Sequence, residues 1–381
     1  MANTLTNLIP TLYEALDVVS RELVGMIPAV SRNSGVERVA LNQTVNIPVV
    51  PAIVGGDITP GVTPPSDGDQ NFGNTTMTIS KSRYWPVRWT GEEQRGVAFT
   101  GIRNNITTQQ FAQAFRAACN EIEIDLAALY VNMSRAYGTA GTAPFGTASD
   151  LTDIAGVLRI LNDNGAPGDL QVVLGSGAIA NLRGKQSVLF KVNEAGTSDL
   201  LREGIIGRLE GTDIHNSAGV KTVVKGTGAA YTTTAAGFAI GITSIPIITG
   251  AGTVVAGDNV TFAGDTNIYV VTTGVGAPGT IVIAEPGLRV AIPAVATAMT
   301  IGTGGTRNMA FARTAIQLAT RAPALPEGGD MADDRTTVTD PVSGLSFEIS
   351  LYRQYRQVKY EVAIAWGVKV IAPRHTAVLL G

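Results

Sequence analysis

The residues able to do chemistry are few and scattered. The 381-residue chain has two histidines and one cysteine. His215 and His375 stand alone, far apart in sequence, and no serine sits in a nucleophile elbow. Cys119 lies beside an apolar stripe and reads as a core thiol. VVLGSGAIA (172–180) imitates the glycine turn of a dinucleotide site, with Glu194 seventeen residues past Gly177. A working site also needs a second parallel strand ending in an acid, and the residues that follow do not read as one. The plainer reading is a strand-to-helix turn. DMADDRTTVTD (330–340) offers four aspartates but not the ligand order of a calcium loop, so a solvated loop is expected. SRYWPVRW (82–89) interleaves arginine with aromatics, as base-stacking surfaces do. Trp85, Val87 and Trp89 share one parity, however, so an amphipathic edge strand accommodating Pro86 explains it as well. Glu121, Glu123 and Asp125 read as a solvated or subunit-facing edge, with only Glu121 and Asp125 on a common helical face. The residues therefore point to no catalytic, cofactor-binding or metal-ligating set.

Composition narrows the classes further. Charged residues make up 15% of the chain, where roughly 25% is usual. The formal net charge of −3 argues against a dedicated duplex-DNA reader. One cysteine excludes an intramolecular disulfide. The N-terminal MANTLTNLIP has no basic region before its apolar residues, so no secretion signal is expected. No apolar run of about 18 residues is present, and no transmembrane helix is expected.

The elements that would position any site are clearer than the site. Leu8, Leu12, Leu16, Val19 and Leu23 predict an amphipathic helix over 8–24, ended by Pro28. Strand-like runs at 36–50 and 76–89 flank a Pro/Gly/Asp-rich loop at 51–73, which predicts a long hairpin with an extended tip. Phe111, Phe115, Ala118, Ile122, Leu126, Leu129 and Met133 predict one long helix over 107–136, with Thr107 and Gln110 as its capping box. Residues 150–225 alternate helical and strand patterns. From 226 to 257 no residue is charged, and short β-rich runs between glycines and prolines continue to about 302, which predicts an inserted small barrel or sandwich. YEVAIAWGVKVIAP (360–373) alternates for one long half-buried strand. Tyr360, Val362, Ile364, Trp366, Val368 and Val370 are expected on the spine helix, with Glu361 and Lys369 facing away.

The order of these elements resembles the major capsid proteins of tailed bacteriophages, which share the Hong Kong 97 fold. It is similar in particular to the Salmonella podophage coat family with its inserted β-barrel domain. The resemblance is carried by NIPV (46–49), TTQQFAQAFRAACNEIEIDLAALYVNMS, LLREGIIGRLEGTDIHNS (200–217), GDNVTFAG (257–264), RNMAFARTAIQLATRAP (307–323) and VAIAWGVKV (362–370). It implies an α+β protein with an N-terminal arm (1–35) and an extended hairpin (36–90). A peripheral domain (91–149 and 341–381) would hold the spine helix, and an axial domain (150–225 and 303–340) would carry the inserted β domain (226–302). It implies a non-enzymatic subunit, without cofactor, that self-assembles in the host cytoplasm into the hexamers and pentamers of an icosahedral head. Scaffolding protein, portal and packaged double-stranded DNA held non-specifically on the inner face are the implied partners, with no membrane. The alternative is a secreted or surface carbohydrate-binding β protein, for which the insertion would display aromatic side chains. A nucleotide-dependent enzyme, resting on VVLGSGAIA alone, is a third reading.

Overall fold

The alternation at 360–370 becomes a fourteen-residue strand, Gln357–Val370. In the computed structural model, which describes residues 12, 25–35, 37–49, 55, 57–58, 60–61, 73–99, 103–186, 207–340 and 344–381, this strand organises a six-stranded sheet. Lys81–Thr90 pairs antiparallel along one side of it. Ser346–Gln354 and then Ile316–Arg321 share the other side. Asp334–Thr339 adds beyond Ser346–Gln354, and Ser31–Ser34 runs parallel to Ile316–Arg321.

The expected parity holds on one face. Tyr360, Val362, Ile364 and Trp366 are buried against the spine helix. Phe111 meets Tyr360 edge-on at 5.6 Å between ring centroids, and Phe115 packs on Phe347 at 5.0 Å. The opposite face is more buried than alternation predicts. Ala363, Ala365 and Gly367 are buried, the last two by the root of the hairpin, where Val39, Ile47, Met77 and Ile79 close over Ala319 and Ala365. Small residues are required here: a Cβ on Gly367 would stand 2.3 Å from the Thr78 carbonyl oxygen.

The spine helix spans Arg103–Ala127, not 107–136. It starts four residues before Thr107, so the expected capping box lies inside it. It tightens into a 3-10 turn at Ala128–Asn132, and Arg135–Tyr137 is a strand. The apolar stripe continues past Ala127, but two partners compete for the chain: Thr376–Leu380 and Ile268–Thr273 both pair with Arg135–Tyr137. Sheet pairing overrides helical spacing there. The hairpin's second arm is also divided. Gly73–Thr78 pairs with Thr44–Val49 as an isolated two-stranded sheet, whereas Lys81–Thr90 joins the closing strand. Of the amphipathic stretch expected at 8–24, only Leu12 is among the described residues, and it is buried. Most of the tip at 51–73 also lies outside them. Pro28 sits inside a four-residue helix, Met26–Ala29, instead of ending one. At the third helical position its missing N–H is one that has no intrahelical partner anyway.

The second sheet has thirteen strands. In the body, Leu170–Leu174, Thr212–Asn216, Gly305–Ala312 and Thr376–Leu380 line up, with the helices Thr152–Asp163 and Ser176–Lys185 packed through Ile154, Val157, Leu161, Ile179 and Leu182. In the 226–302 region the strands close a ring. Thr232–Thr233 pairs with Ser244–Ile248, then Gly279–Ile283, Ile268–Thr273, Asn259–Phe262 and Met299–Ile301 follow, and a Thr232–Ala298 bridge returns to the start. This small barrel has its own core, including Tyr231, Ile245, Phe262, Tyr269, Val271, Ile281 and Leu288. Its entry and exit are zipped together, Thr222–Val223 against Gly305–Thr306.

Candidate functional site

The residues that could do chemistry remain apart. Cys119 is 4% exposed in the core. His215 Nε2 lies 2.8 Å from Gln171 Oε1, and burial lowers the pKa of the ring. His375 sits in the short turn Pro373–His375 near the end of the chain, its pKa also lowered by burial. Among the described residues, no three of His, Cys, Asp or Glu gather as a metal site.

Most of the stretch directly after the glycine turn lies outside the described residues, and a parallel partner comes further on, ending in Asn216 and not in an acid. Thr212–Asn216 runs parallel to Leu170–Leu174. The turn is nevertheless occupied by the protein itself. The Gly175 N–H at the head of the Ser176–Lys185 helix donates to Asn308 Oδ1 at 2.7 Å, and Val220 lies 3.4 Å from where a Gly175 Cβ would be. The amide that would greet a phosphate is already used. Glu194 lies outside the described residues.

The aromatic strand turns inward. Trp85 stacks on Trp366 at 6.3 Å with ring planes 15° apart, and Val87 and Trp89 are buried. Pro86 falls on a strand whose described pairing is to the closing strand alone, the edge position that proline tolerates. The acidic loop is tied down by cations: Arg335 Nη2 is 2.5 Å from Asp330, and Arg353 Nε is 3.2 Å from Asp333. The inserted barrel's aromatics are not displayed. Tyr231, Phe262 and Tyr269 are core residues and Phe238 packs against them.

The carboxylates of the spine helix divide in a way that spacing did not reveal. Glu121 and Asp125 share Lys81, at 3.1 and 2.8 Å, and Asp125 also accepts the Trp366 indole N–H at 2.9 Å. Glu123 was expected at a solvated or subunit-facing edge; it is 3% exposed, buried within its own chain. Its Oε1 accepts the N–H groups of Met26 and Ile27 at 2.8 Å each, and its Oε2 accepts the Ser217 hydroxyl at 2.5 Å. The carboxylate thus caps the Met26–Ala29 helix, while Arg313 Nη1 donates to the Pro28 carbonyl at 2.9 Å. Negative charge at the start and positive charge near the end complement the helix dipole. Burial pushes the Glu123 carboxyl above the ordinary glutamate value, against the pull of Ser217 and of the Ile27, Met26 and Gly25 N–H groups. No local signal marks this residue, because its partners lie about a hundred positions away in both directions.

What remains open on the molecule is surface for contact. The Thr44–Val49/Gly73–Thr78 ribbon pairs with no third strand among the described residues. Its root is held by the cluster around Ile47 and Met77 and by Lys369 Nζ, which donates to the Thr76 carbonyl at 2.7 Å. Between its arms Ile58 is 97% exposed. An isolated two-stranded hairpin is marginal in water.

No protein-family model matches the sequence, and no curated protein matches it. Solved structures do. The capsid of the cyanophage P-SCSP1u is 11% identical, with 92% of this chain and 86% of that one covered and a TM-score of 0.44. The mature capsid of bacteriophage PhiM1 is 11% identical over 93% and 86%, with a TM-score of 0.42. A virus-like particle from Pyrococcus furiosus is 8% identical over 98% and 100%, with a TM-score of 0.44. The chain is an α+β protein, and the solved structures it is similar to include capsid shells.

Proposed function

We propose that this chain is the major capsid protein of a tailed bacteriophage, self-assembling into the icosahedral head around the double-stranded DNA genome. The observation that carries the reading is the hairpin: a two-stranded ribbon, rooted firmly at Ile47, Met77 and Gly367, with a fully exposed isoleucine between its arms. Such a ribbon gains its missing contacts from a neighbouring copy. Low charge agrees with this, because a perimeter that becomes interface needs few solvated side chains. In this reading the six-stranded sheet with the spine helix forms the periphery of each capsomer and takes in Ile316–Arg321 and Asp334–Thr339, from the stretch 303–340 expected in the axial domain. The body part of the second sheet forms its axial tip and takes in Arg135–Tyr137 and Thr376–Leu380, from the stretches expected in the peripheral domain, and the barrel elaborates one surface. Hexamers and pentamers form in the host cytoplasm, with scaffolding protein and portal as partners. Packaged DNA touches the inner face without sequence preference, as the net charge of −3 allows. The role is structural. Burial of the barrel's aromatics removes the motive for a carbohydrate-binding reading.

The test replaces residues 55–70 by a short Gly-Ser linker and images the purified protein by negative-stain microscopy. The wild-type chain is expected to form closed shells tens of nanometres wide. The variant is expected to stay folded by circular dichroism and to form none. Normal shells from the variant would refute the role of the hairpin.

A further inference from the structure

The fold leaves one buried charge without a partner. Arg307 lies on the strand Gly305–Ala312 and is 1% exposed. It shares its parity with Met309 and Phe311, which belong to the main core, so its side chain enters the interior. Its backbone N–H donates to the Lys221 carbonyl at 2.9 Å. Its guanidinium is held by nothing: Nε, Nη1 and Nη2 are all buried without an acceptor among the described residues. An arginine stays charged inside a protein. A buried charge is tolerated when it is paired and hydrogen-bonded, and is costly otherwise.

The surroundings say what kind of partner fits. Arg307 directly follows the zip of Thr222–Val223 on Gly305–Thr306, where the barrel joins the body. Tyr130 and Asp258 both act on its guanidinium electrostatically. Tyr130 comes from the turn that ends the spine helix, and its hydroxyl oxygen lies 2.5 Å from where a Gly257 Cβ would stand. Asp258 is 1% exposed, yet among the described residues it forms no ion pair with Arg307. Its oxygens instead accept the Gly226 N–H at 3.0 Å and the Val255 N–H at 2.8 Å, within the barrel's own loops. Asn259, the next residue, is 2% exposed with both polar atoms of its side chain unpartnered. Its cross-strand partner Val270 packs in the main core, so Asn259 faces the body as well.

We propose that Arg307 holds a small monovalent anion of the chloride class at the junction of barrel and body, with the Tyr130 hydroxyl as a second donor. The guanidinium is a fork of N–H donors with no acceptor of its own, so what it lacks is an acceptor, and its charge asks for a negative one. Asp258 limits that charge. A single negative charge is matched by Arg307, whereas a sulfate or phosphate would set a second one against the Asp258 carboxylate in a medium that screens poorly. Burial limits the size, which favours an inorganic ion over an organic acid. Seated there, the anion ties the strand that leaves the barrel to the end of the spine helix. The site thus couples the barrel to the body independently of any contact between copies.

The test uses the unassembled full chain, with sodium chloride as the probe and sodium gluconate, whose anion is monovalent but bulky, as the control at equal ionic strength. Binding is read by chloride NMR line broadening and by the urea unfolding midpoint. In the wild type, chloride is expected to raise the midpoint along a saturating curve, as a ligand bound only by the folded state does, and gluconate is expected to leave it unchanged. Arg307→Met keeps the bulk and removes the charge, and it is expected to lose both the broadening and the midpoint response. Arg307→Lys, which keeps the charge and loses the fork, serves if the methionine variant does not fold, and is expected to bind chloride about tenfold more weakly. Tyr130→Phe is expected to weaken binding by about the same factor, the loss of one hydrogen bond to a charged group. A wild-type midpoint that is the same in chloride and gluconate overturns the site. So does a chloride response in the Arg307 variants equal to that of the wild type. Unchanged binding by Tyr130→Phe overturns the part given to the hydroxyl.

Discussion

Replacing Glu123 by alanine should detach the Met26–Ala29 segment from the body. The carboxylate accepts two backbone N–H groups at 2.8 Å and the Ser217 hydroxyl at 2.5 Å, all in the buried interior. Alanine leaves those donors without an acceptor. Ser217 can rotate, so two backbone donors carry the loss, at about 1–3 kcal/mol each. Relief of the buried charge offsets part of it, which leaves an expected destabilisation of about 2–4 kcal/mol. Glutamine keeps one acceptor oxygen for Met26 and Ile27 and can turn its amide towards Ser217 Oγ, so its loss should be about 1 kcal/mol. The assay is urea unfolding of the unassembled full chain, with the midpoint compared at constant m. Hydrogen exchange at the Met26 and Ile27 amides reads the same contact locally.

The pH dependence has a definite sign. Burial raises the Glu123 carboxyl in the folded state. Its contribution is therefore full below the ordinary glutamate value of about 4.3 and is lost as pH rises through the raised value. The advantage of wild type over Glu123→Gln should shrink as pH is raised from 4 to 7. Losses below about 0.5 kcal/mol for alanine, with unchanged exchange at both amides, would refute the capping role, since ordinary surface substitutions fall in that range.

Two other outcomes follow from packing. Leu126 is fully buried in the main core, so Leu126→Ala should lose about 2–5 kcal/mol in the same unfolding assay, and a loss under about 0.5 kcal/mol would place that face in solvent. Residues 226–302 close a ring of strands around their own core, so the fragment should give dispersed proton–nitrogen amide peaks and a cooperative urea transition. Its stability should lie near the low end of about 5–15 kcal/mol, because a unit of this size buries little more than about 60% of its unfolded surface, and a random-coil spectrum would show that the body orders it.

Much of the fold is legible in the sequence because it is written in short periods. The alternation from Tyr360 to Val370 names the buried face of the closing strand, and Phe111 to Leu126 names the buried face of the spine helix. The loss of charge after Lys225 marks the barrel, whose core is drawn entirely from its own residues. The scarcity of reactive side chains was equally plain. The shared parity of Trp85, Val87 and Trp89 was legible as an amphipathic strand, but that this face packs on Trp366 was not.

Only the tertiary structure decided where these periods stop and what their polar members do. The helix stripe runs on to Met133, yet the chain leaves the helix at Ala127 because Arg135–Tyr137 is claimed by strands that begin 133 and 241 residues later. The inner burial of Ala365 and Gly367 comes from the hairpin root, which no local pattern announces. Glu123 looks like its neighbours Glu121 and Asp125 on the chain, but one is buried under Met26 and Ser217 while the others hold Lys81. Side-chain periodicity is set by backbone geometry within a few residues. The partner of a carboxylate, or of a strand edge, is set by which distant segments the completed core brings alongside it.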